Sequence, residues 1–169
     1  MTETLTTYIT TFLLAIMPVS EIRGSMIYGL SQVDHTLINI LKIYGISVFA
    51  NFLPVPFILI AFRPLIKWLK RTKLLGRFAM WLENRTHRKA GDISRKSARA
   101  AAVAIYVFVS IPFPTTGAWT GSMIAGLLDM RARYALPAAL LGIMTSGAIM
   151  TLLVTGALNL GAFGEWIMK

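Results

Sequence analysis

Four long stretches of the sequence contain no Asp, Glu, Lys or Arg: residues 4–20, 43–62, 100–128 and 134–164. A helix needs about 20 apolar residues to cross the hydrocarbon core of a bilayer. Residues 43–62 reach that length, and residues 134–164 exceed it. The charged fraction, 14%, also lies well below the roughly 25% of a soluble domain. The sequence therefore predicts an all-α integral membrane protein.

The first and third of these stretches are interrupted before they reach a spanning length. Residues 5–17 precede Pro18, and residues 100–111 precede Pro112. Segments this short are typical of helices that re-enter the membrane and turn back. We predict two such hairpins, with their breaks at Pro18, Pro112, Pro114 and Gly117. We also expect the N-terminal segment to be retained, because a cleaved signal peptide needs a basic start and residues 1–11 contain no Lys or Arg.

A short pattern occurs twice in the chain. GSMIYGL at residues 24–30 recurs as GSMIAGL at residues 121–127, and each copy follows a proline-containing polar stretch and precedes a long apolar segment. Chance similarity is the alternative in so apolar a chain, but the matching context argues against it. The repeat predicts an inverted topology, in which each half is a re-entrant helical hairpin plus one spanning helix. The predicted divisions are a first membrane repeat (1–62), a basic cytoplasmic segment (63–99) and a second membrane repeat (100–169).

Positive charge is concentrated between the two predicted halves. Twelve of the 17 Lys and Arg residues lie within residues 63–99. The positive-inside rule assigns this segment to the cytoplasm, which leaves both termini outside a multi-pass protein of the cell membrane. Apolar residues at helical spacing over 65–82 predict an amphipathic helix on the inner leaflet, with a partner-binding helix as the alternative.

The charge pattern also bears on the expected partners. The sequence contains no recognisable nucleic-acid-binding motif, so we interpret the net charge of +10 as a topology signal. Membrane lipids are the expected partners, and no nucleic acid is expected. The small number of helices is compatible with a homo-oligomer.

Two charges lie inside the predicted membrane region, at the tip of the first hairpin: Glu21 and Arg23. A charge at membrane depth costs on the order of 3 kcal/mol on insertion scales, so such groups face a cavity and pair. The pair either takes part in transport or holds the hairpin together. The planar guanidinium of Arg23 suits a phosphate or a carboxylate.

The second predicted tip offers hydrogen-bonding groups without charge. Its hydroxyl and indole groups can line a transport path, or they can cap the ends of broken helices. Glycines beside both tips allow close backbone approach. The candidate transport residues from the two tips are Glu21, Arg23, Gly24, Thr115, Thr116, Trp119, Thr120 and Gly121.

Asn51 lies in the middle of the first predicted spanning helix, and Pro54 and Pro56 follow it. Proline frees a backbone carbonyl within a helix and kinks the helix. Asn51 therefore either hydrogen-bonds such a freed group or lines the path, and we expect the first. The sequence has no nucleophile-elbow pattern, no His cluster with metal spacing and no phosphate-binding glycine loop. We accordingly expect a protein that is not an enzyme and that needs no metal or cofactor.

Three segments carry a family resemblance: PVSEIRG at 18–24, NFLPVPF at 51–57 and PFPTTGAWTG at 112–121. Over nearly its whole length the chain resembles the bacterial and archaeal small multi-drug export proteins. That family is similar in architecture to the DedA superfamily, whose members have facing re-entrant hairpins. Several DedA proteins are implicated in proton-dependent movement of polyprenyl phosphate or phospholipids. The resemblance implies that Glu21 matches their acidic residue, although they carry an arginine in the second hairpin and residues 115–120 contain none.

These observations predict a small membrane transporter. The leading interpretation is a DedA-like translocase of an anionic lipid or polyprenyl-phosphate-type amphiphile, with proton coupling through Glu21. The alternatives are a multidrug or small-molecule exporter and, in a different class, a structural or assembly protein without transport.

Overall fold

The computed structural model describes the backbone of residues 2–69, 95–113 and 116–167, and the side chains of residues 4–61, 98–113 and 116–156. Within these ranges the chain is helical and contains no strand. Most of the predicted amphipathic helix, and also Pro114 and Thr115, lie outside them. The helices are α1 (Thr2–Ile16), α2 (Glu21–Ser31), α3 (Leu37–Phe52), α4 (Pro54–Leu69), α5 (Arg95–Ser110), α6 (Ala118–Leu127) and α7 (Ala132–Ile167).

Two helical segments are long and apolar enough to cross a membrane, judged by length and composition. They are Leu37–Ala61 and Ala132–Gly156, each 25 residues long with a mean hydropathy of 1.9. Both coincide with the predicted spanning helices, so this coarse prediction is confirmed. Large apolar side chains such as Phe57 and Leu152 are exposed on these segments, as expected for surfaces that contact lipid.

The first of these segments consists of two helices. α3 ends at Phe52, and α4 begins at Pro54 after the single residue Leu53. Proline lacks an N–H and fixes a helical φ, which suits it to the first position of a helix. The sequence predicts a spanning helix kinked by proline here, and the structure has a break directly before Pro54.

Two shorter apolar helices end close to prolines. α1 ends at Ile16, two residues before Pro18, and α5 ends at Ser110, two residues before Pro112. A helix tends to stop at or before the residue that precedes a proline, because the ring crowds the helical conformation there. The chain then turns into the short helices α2 and α6.

The helices pack in two similar groups that also contact each other. In the first group, α1 packs against α2 and α3, and α2 packs against α3. In the second group, α5 packs against α6 and α7, and α6 packs against α7. The short helix of each group also contacts the long segment of the other, since α2 packs against α7 and α6 against α4. The two short helices are therefore held at the centre of the helical assembly.

Small residues bring these helices close together. A Cβ atom added at Gly121 would lie 2.5 Å from Cγ2 of Val109, and one added at Gly142 would lie 2.7 Å from Cβ of the same valine. Glycine is thus required where α5 meets α6 and α7. The larger buried apolar side chains of the core are Ile22, Met26, Leu30, Ile43, Val55, Leu59, Ile105, Val109, Met130, Ile143 and Met150.

Candidate functional site

A crevice lies where the starts of α2 and α6 face each other. It combines acidic, basic, amide and hydroxyl groups with an apolar wall, and it is too narrow to hold a water molecule. Its polar character is unusual, because the surrounding core is apolar. The crevice is lined by Glu21, Ile22, Arg23, Asn51, Val109, Thr116, Gly117, Ala118, Ile143 and Ser146.

The carboxylate of Glu21 connects the two short helices. This side chain is 3% exposed, and its Oε1 accepts a hydrogen bond from the backbone N–H of Trp119 at 3.3 Å. The first N–H groups of a helix have no partner within the helix and favour an anion. Glu21 therefore supplies the N-terminus of α6 with a negative charge from the first residue of α2.

Gly117 leaves open the space that the Glu21 carboxylate occupies. A Cβ atom added at Gly117 would collide with Oε2 of Glu21. The carboxylate thus occupies the space that any other residue at position 117 would fill with its own side chain. The sequence predicted Gly117 as a break in the hairpin, and the contact with Glu21 adds a second reason for a glycine.

Arg23 is the cation of the crevice. Its Nη2 lies 3.7 Å from Oε2 of Glu21, and 17% of its side chain is exposed. The guanidinium makes no hydrogen bond with the residues that the structure describes. A guanidinium carries five N–H donors in a planar fork, so Arg23 retains donor capacity toward the crevice.

Asn51 does not play the role that was expected from its neighbouring prolines. The side chain is 1% exposed, yet neither Nδ2 nor Oδ1 has a hydrogen-bond partner within the described part of the chain. It therefore does not hydrogen-bond a carbonyl freed by Pro54 or Pro56, and it lines the crevice instead. A new helix, α4, begins at Pro54. The missing N–H of this proline therefore costs little helical hydrogen bonding that a side chain would have to replace.

The polar groups of the second tip hydrogen-bond to backbone carbonyls at or near helix ends. The Thr116 hydroxyl lies 2.8 Å from the carbonyl oxygen of Ile111 and 2.9 Å from that of Phe113, both just after the end of α5. The indole N–H of Trp119 donates to the carbonyl oxygen of Ile16, the last residue of α1, at 3.0 Å. These bonds agree with the capping alternative for this tip, because carbonyls at the end of a helix lack a partner within the helix.

The structure brings together only some of the predicted site residues. Glu21, Arg23, Asn51 and Thr116 line the crevice, together with Gly117. The other candidates that the structure describes lie outside its lining: Gly24, Trp119, Thr120 and Gly121, and the prolines at 18 and 112.

Ser146 also lines the crevice and was not predicted. A signal was present in the sequence, because the triplet Thr-Ser-Gly at 145–147 interrupts an otherwise apolar helix.

Full and partial charges of both signs border the crevice. Arg23 contributes a full positive charge, and Glu21 is the single acid among the lining residues. The N-termini of α2 and α6 border the crevice through Glu21 and Ala118, and the last turns of α3 and α5 border it through Asn51 and Val109. A helix N-terminus is equivalent to about half a positive charge and a C-terminus to about half a negative charge, so these contributions offset each other.

One comparison with known proteins gives a match. A family model described as "Putative small multi-drug export protein" matches residues 21–149. This range begins at Glu21 and includes every residue that lines the crevice. No match was found among curated proteins or among solved structures.

Proposed function

Because the chain belongs to the small multi-drug export protein family, we propose that it is a small-molecule exporter of the membrane and that it is not an enzyme. The family description and the apolar helices together indicate a membrane protein with an export role. The observation that carries the proposal is the crevice at the centre of the helical assembly, which holds an ion pair and a buried amide that has no partner among the described residues. Ionisable groups in such a position are expensive and mark transport paths.

The substrate that we propose is an amphiphile with an anionic head group, such as a lipid or polyprenyl phosphate. The guanidinium of Arg23 supports this choice, because it makes no hydrogen bond with the described residues and its planar fork suits a phosphate or a carboxylate. Arg23 would repel a cationic drug from Glu21. Protonation of Glu21 would free Arg23 for the substrate, which is how a proton could be coupled to transport.

The membrane arrangement that we propose is the inverted repeat. The similar packing of the two helix groups supports it, and so does the contact of each short helix with the opposite long segment. Single cysteines at Thr2, Ser94 and Lys169, labelled by an impermeant reagent in intact cells, provide the test. We expect labelling at both termini and protection at position 94. Labelling at position 94, or protection of both termini, would contradict the arrangement.

Reconstitution into liposomes tests the substrate class. Translocation of a fluorescent anionic phospholipid and efflux of a cationic dye are measured with the same preparation. Arg23→Lys replaces the planar fork by a point charge, so we expect it to lose most of the anionic activity. Arg131→Lys is the matched control, since Arg131 is exposed and lies outside the crevice, and it should behave like the wild type. Dye efflux that depends on Glu21, without anion transport, would refute the proposed substrate.

A structural role for the ion pair is the second candidate function, and the narrowness of the crevice favours it. If Glu21 and Arg23 only hold the two short helices together, then Glu21→Gln leaves a buried cation unpaired, at a cost of about 3–5 kcal/mol. Adding Arg23→Gln should then recover both stability and any activity. A stable double variant that transports nothing supports the transport role instead.

A further inference from the structure

We propose that Glu21 is an internal anion occupying the ligand's own seat, and that an oxyanion must displace its carboxylate in order to bind. The seat consists of the N-terminus of α6, the space left by Gly117 and the guanidinium of Arg23. The inference rests on the proposed anionic substrate and adds how the site is occupied before the substrate arrives.

The contacts of Glu21 are those of a bound oxyanion. Oε1 accepts from the Trp119 backbone N–H at 3.3 Å, Oε2 faces Arg23 at 3.7 Å, and Gly117 has no Cβ in the way. Backbone N–H groups at a helix N-terminus bind carboxylate, sulfate and phosphate alike. Nothing in this set of donors is specific for a glutamate side chain, so an external oxyanion can use the same donors.

The backbone at Glu21 has a conformation that is typical of functional sites. Its φ is +48°, in the left-handed region that residues other than glycine rarely adopt. Residues held there are strained, and such strain is found at ligand clamps and switch regions.

Asn51 is the independent sign that Glu21 does not satisfy every polar group of the site. Its amide is almost completely buried in the same crevice, and both of its polar atoms are unpaired within the described part of the chain. Buried polar groups are nearly always hydrogen-bonded, so each exception needs an explanation. A carboxylate has two oxygens, and those of Glu21 already face Trp119 and Arg23. A phosphate has more oxygens, and it can accept from these donors and from Asn51 Nδ2 together.

The decisive measurement is the affinity of purified protein in detergent for decyl phosphate. The variant is Glu21→Ala, with Arg131→Ala as the matched control outside the crevice. When a site is occupied by an internal competitor, the apparent affinity is reduced by the fraction of free site. Removing the competitor should therefore tighten binding of decyl phosphate by about tenfold or more. If Glu21 instead helped to bind the ligand, its removal would weaken binding, and the inference would be wrong.

A second readout uses small anions to refill the vacated seat. We expect acetate and inorganic phosphate to raise the Tm of Glu21→Ala more than that of the wild type, with chloride at equal ionic strength as the reference. Equal shifts in both proteins would overturn the inference. Glu21→Gln serves if the alanine variant does not fold, because its amide oxygen can still accept from the Trp119 N–H. That variant should also bind decyl phosphate more tightly than the wild type, and weaker binding would again refute displacement.

The outcome separates this inference from the proposed function. Tighter binding in Glu21→Ala without anion transport in liposomes would support the displacement inference and refute the proposed substrate. Anion transport without tighter binding would support the proposed substrate and refute the displacement inference. Decyltrimethylammonium, the matched cation, should bind the wild type poorly, and Glu21→Ala should not improve its binding.

Discussion

Replacing Gly117 by alanine tests the seat of Glu21 without changing either charge. The added Cβ would collide with Oε2, so the carboxylate has to leave the Trp119 N–H. A hydrogen bond to a charged group contributes about 1.5–3 kcal/mol, and we expect Gly117→Ala to lower the free energy of unfolding by this amount. Gly45→Ala is the matched control, because a Cβ at Gly45 meets nothing within 4 Å. It should stabilise the protein by about 0.5–1 kcal/mol, as alanine does within a helix.

The assay is unfolding by SDS titration in mixed micelles, followed by circular dichroism. Acetate provides a second arm, since it should stabilise Glu21→Ala but not the double variant Glu21→Ala/Gly117→Ala, in which the methyl group fills the seat. Equal unfolding free energies for Gly117→Ala and Gly45→Ala would refute the reasoning. That result would mean that the contact between Glu21 and the start of α6 contributes nothing to the stability of the fold.

Three further substitutions probe single contacts by the same unfolding assay. Ser25 donates a hydrogen bond to Ser47 at 2.7 Å, and both residues are fully buried. Replacing either serine by alanine should lower the free energy of unfolding by about 1 kcal/mol. The double variant should lower it by less than the sum of the two single effects. Trp119→Phe removes the hydrogen bond to the Ile16 carbonyl and should cost about 1 kcal/mol, while Phe retains most of the ring contact. Asn51→Leu removes an unpaired buried amide and should stabilise the protein by about 1–3 kcal/mol while transport falls; a loss of stability would show that the amide has a partner.

Segment length and proline position were enough to predict the main helices. The lengths of the apolar runs predicted the two long segments, Leu37–Ala61 and Ala132–Gly156, because the thickness of a bilayer sets the minimum length of a spanning helix. Pro18 and Pro112 predicted where α1 and α5 end, because proline acts on its immediate neighbours. Pro54 and Pro56 predicted a kink in the first long segment by the same local effect, and the break at Leu53 lies directly before Pro54.

The candidate site was only partly predictable, since its contacts join distant parts of the chain. The pairing of Glu21 with Arg23 is local in sequence. The bond from the Trp119 N–H to Glu21 joins residues 98 positions apart and depends on how α2 and α6 pack. For Asn51, the sequence identified a polar residue in an apolar helix but not its lack of partners. That lack depends on which residues other helices bring to the crevice, whose lining also includes Ser146 on α7.

The bond between Glu21 and the Trp119 N–H closes the crevice, so it also determines how the crevice would open. A site too narrow for a water molecule cannot accept a head group unless the starts of α2 and α6 separate, and the bond between Glu21 and Trp119 holds them together. A ligand can shift such an equilibrium only by binding the open state more tightly than the closed one. An oxyanion that replaces Glu21 at the Trp119 N–H and also pairs with Asn51 meets this condition, because the second interaction is absent from the closed state. A cation gains neither interaction. The inference of displacement and the proposed anionic substrate thus depend on the same difference between the two states.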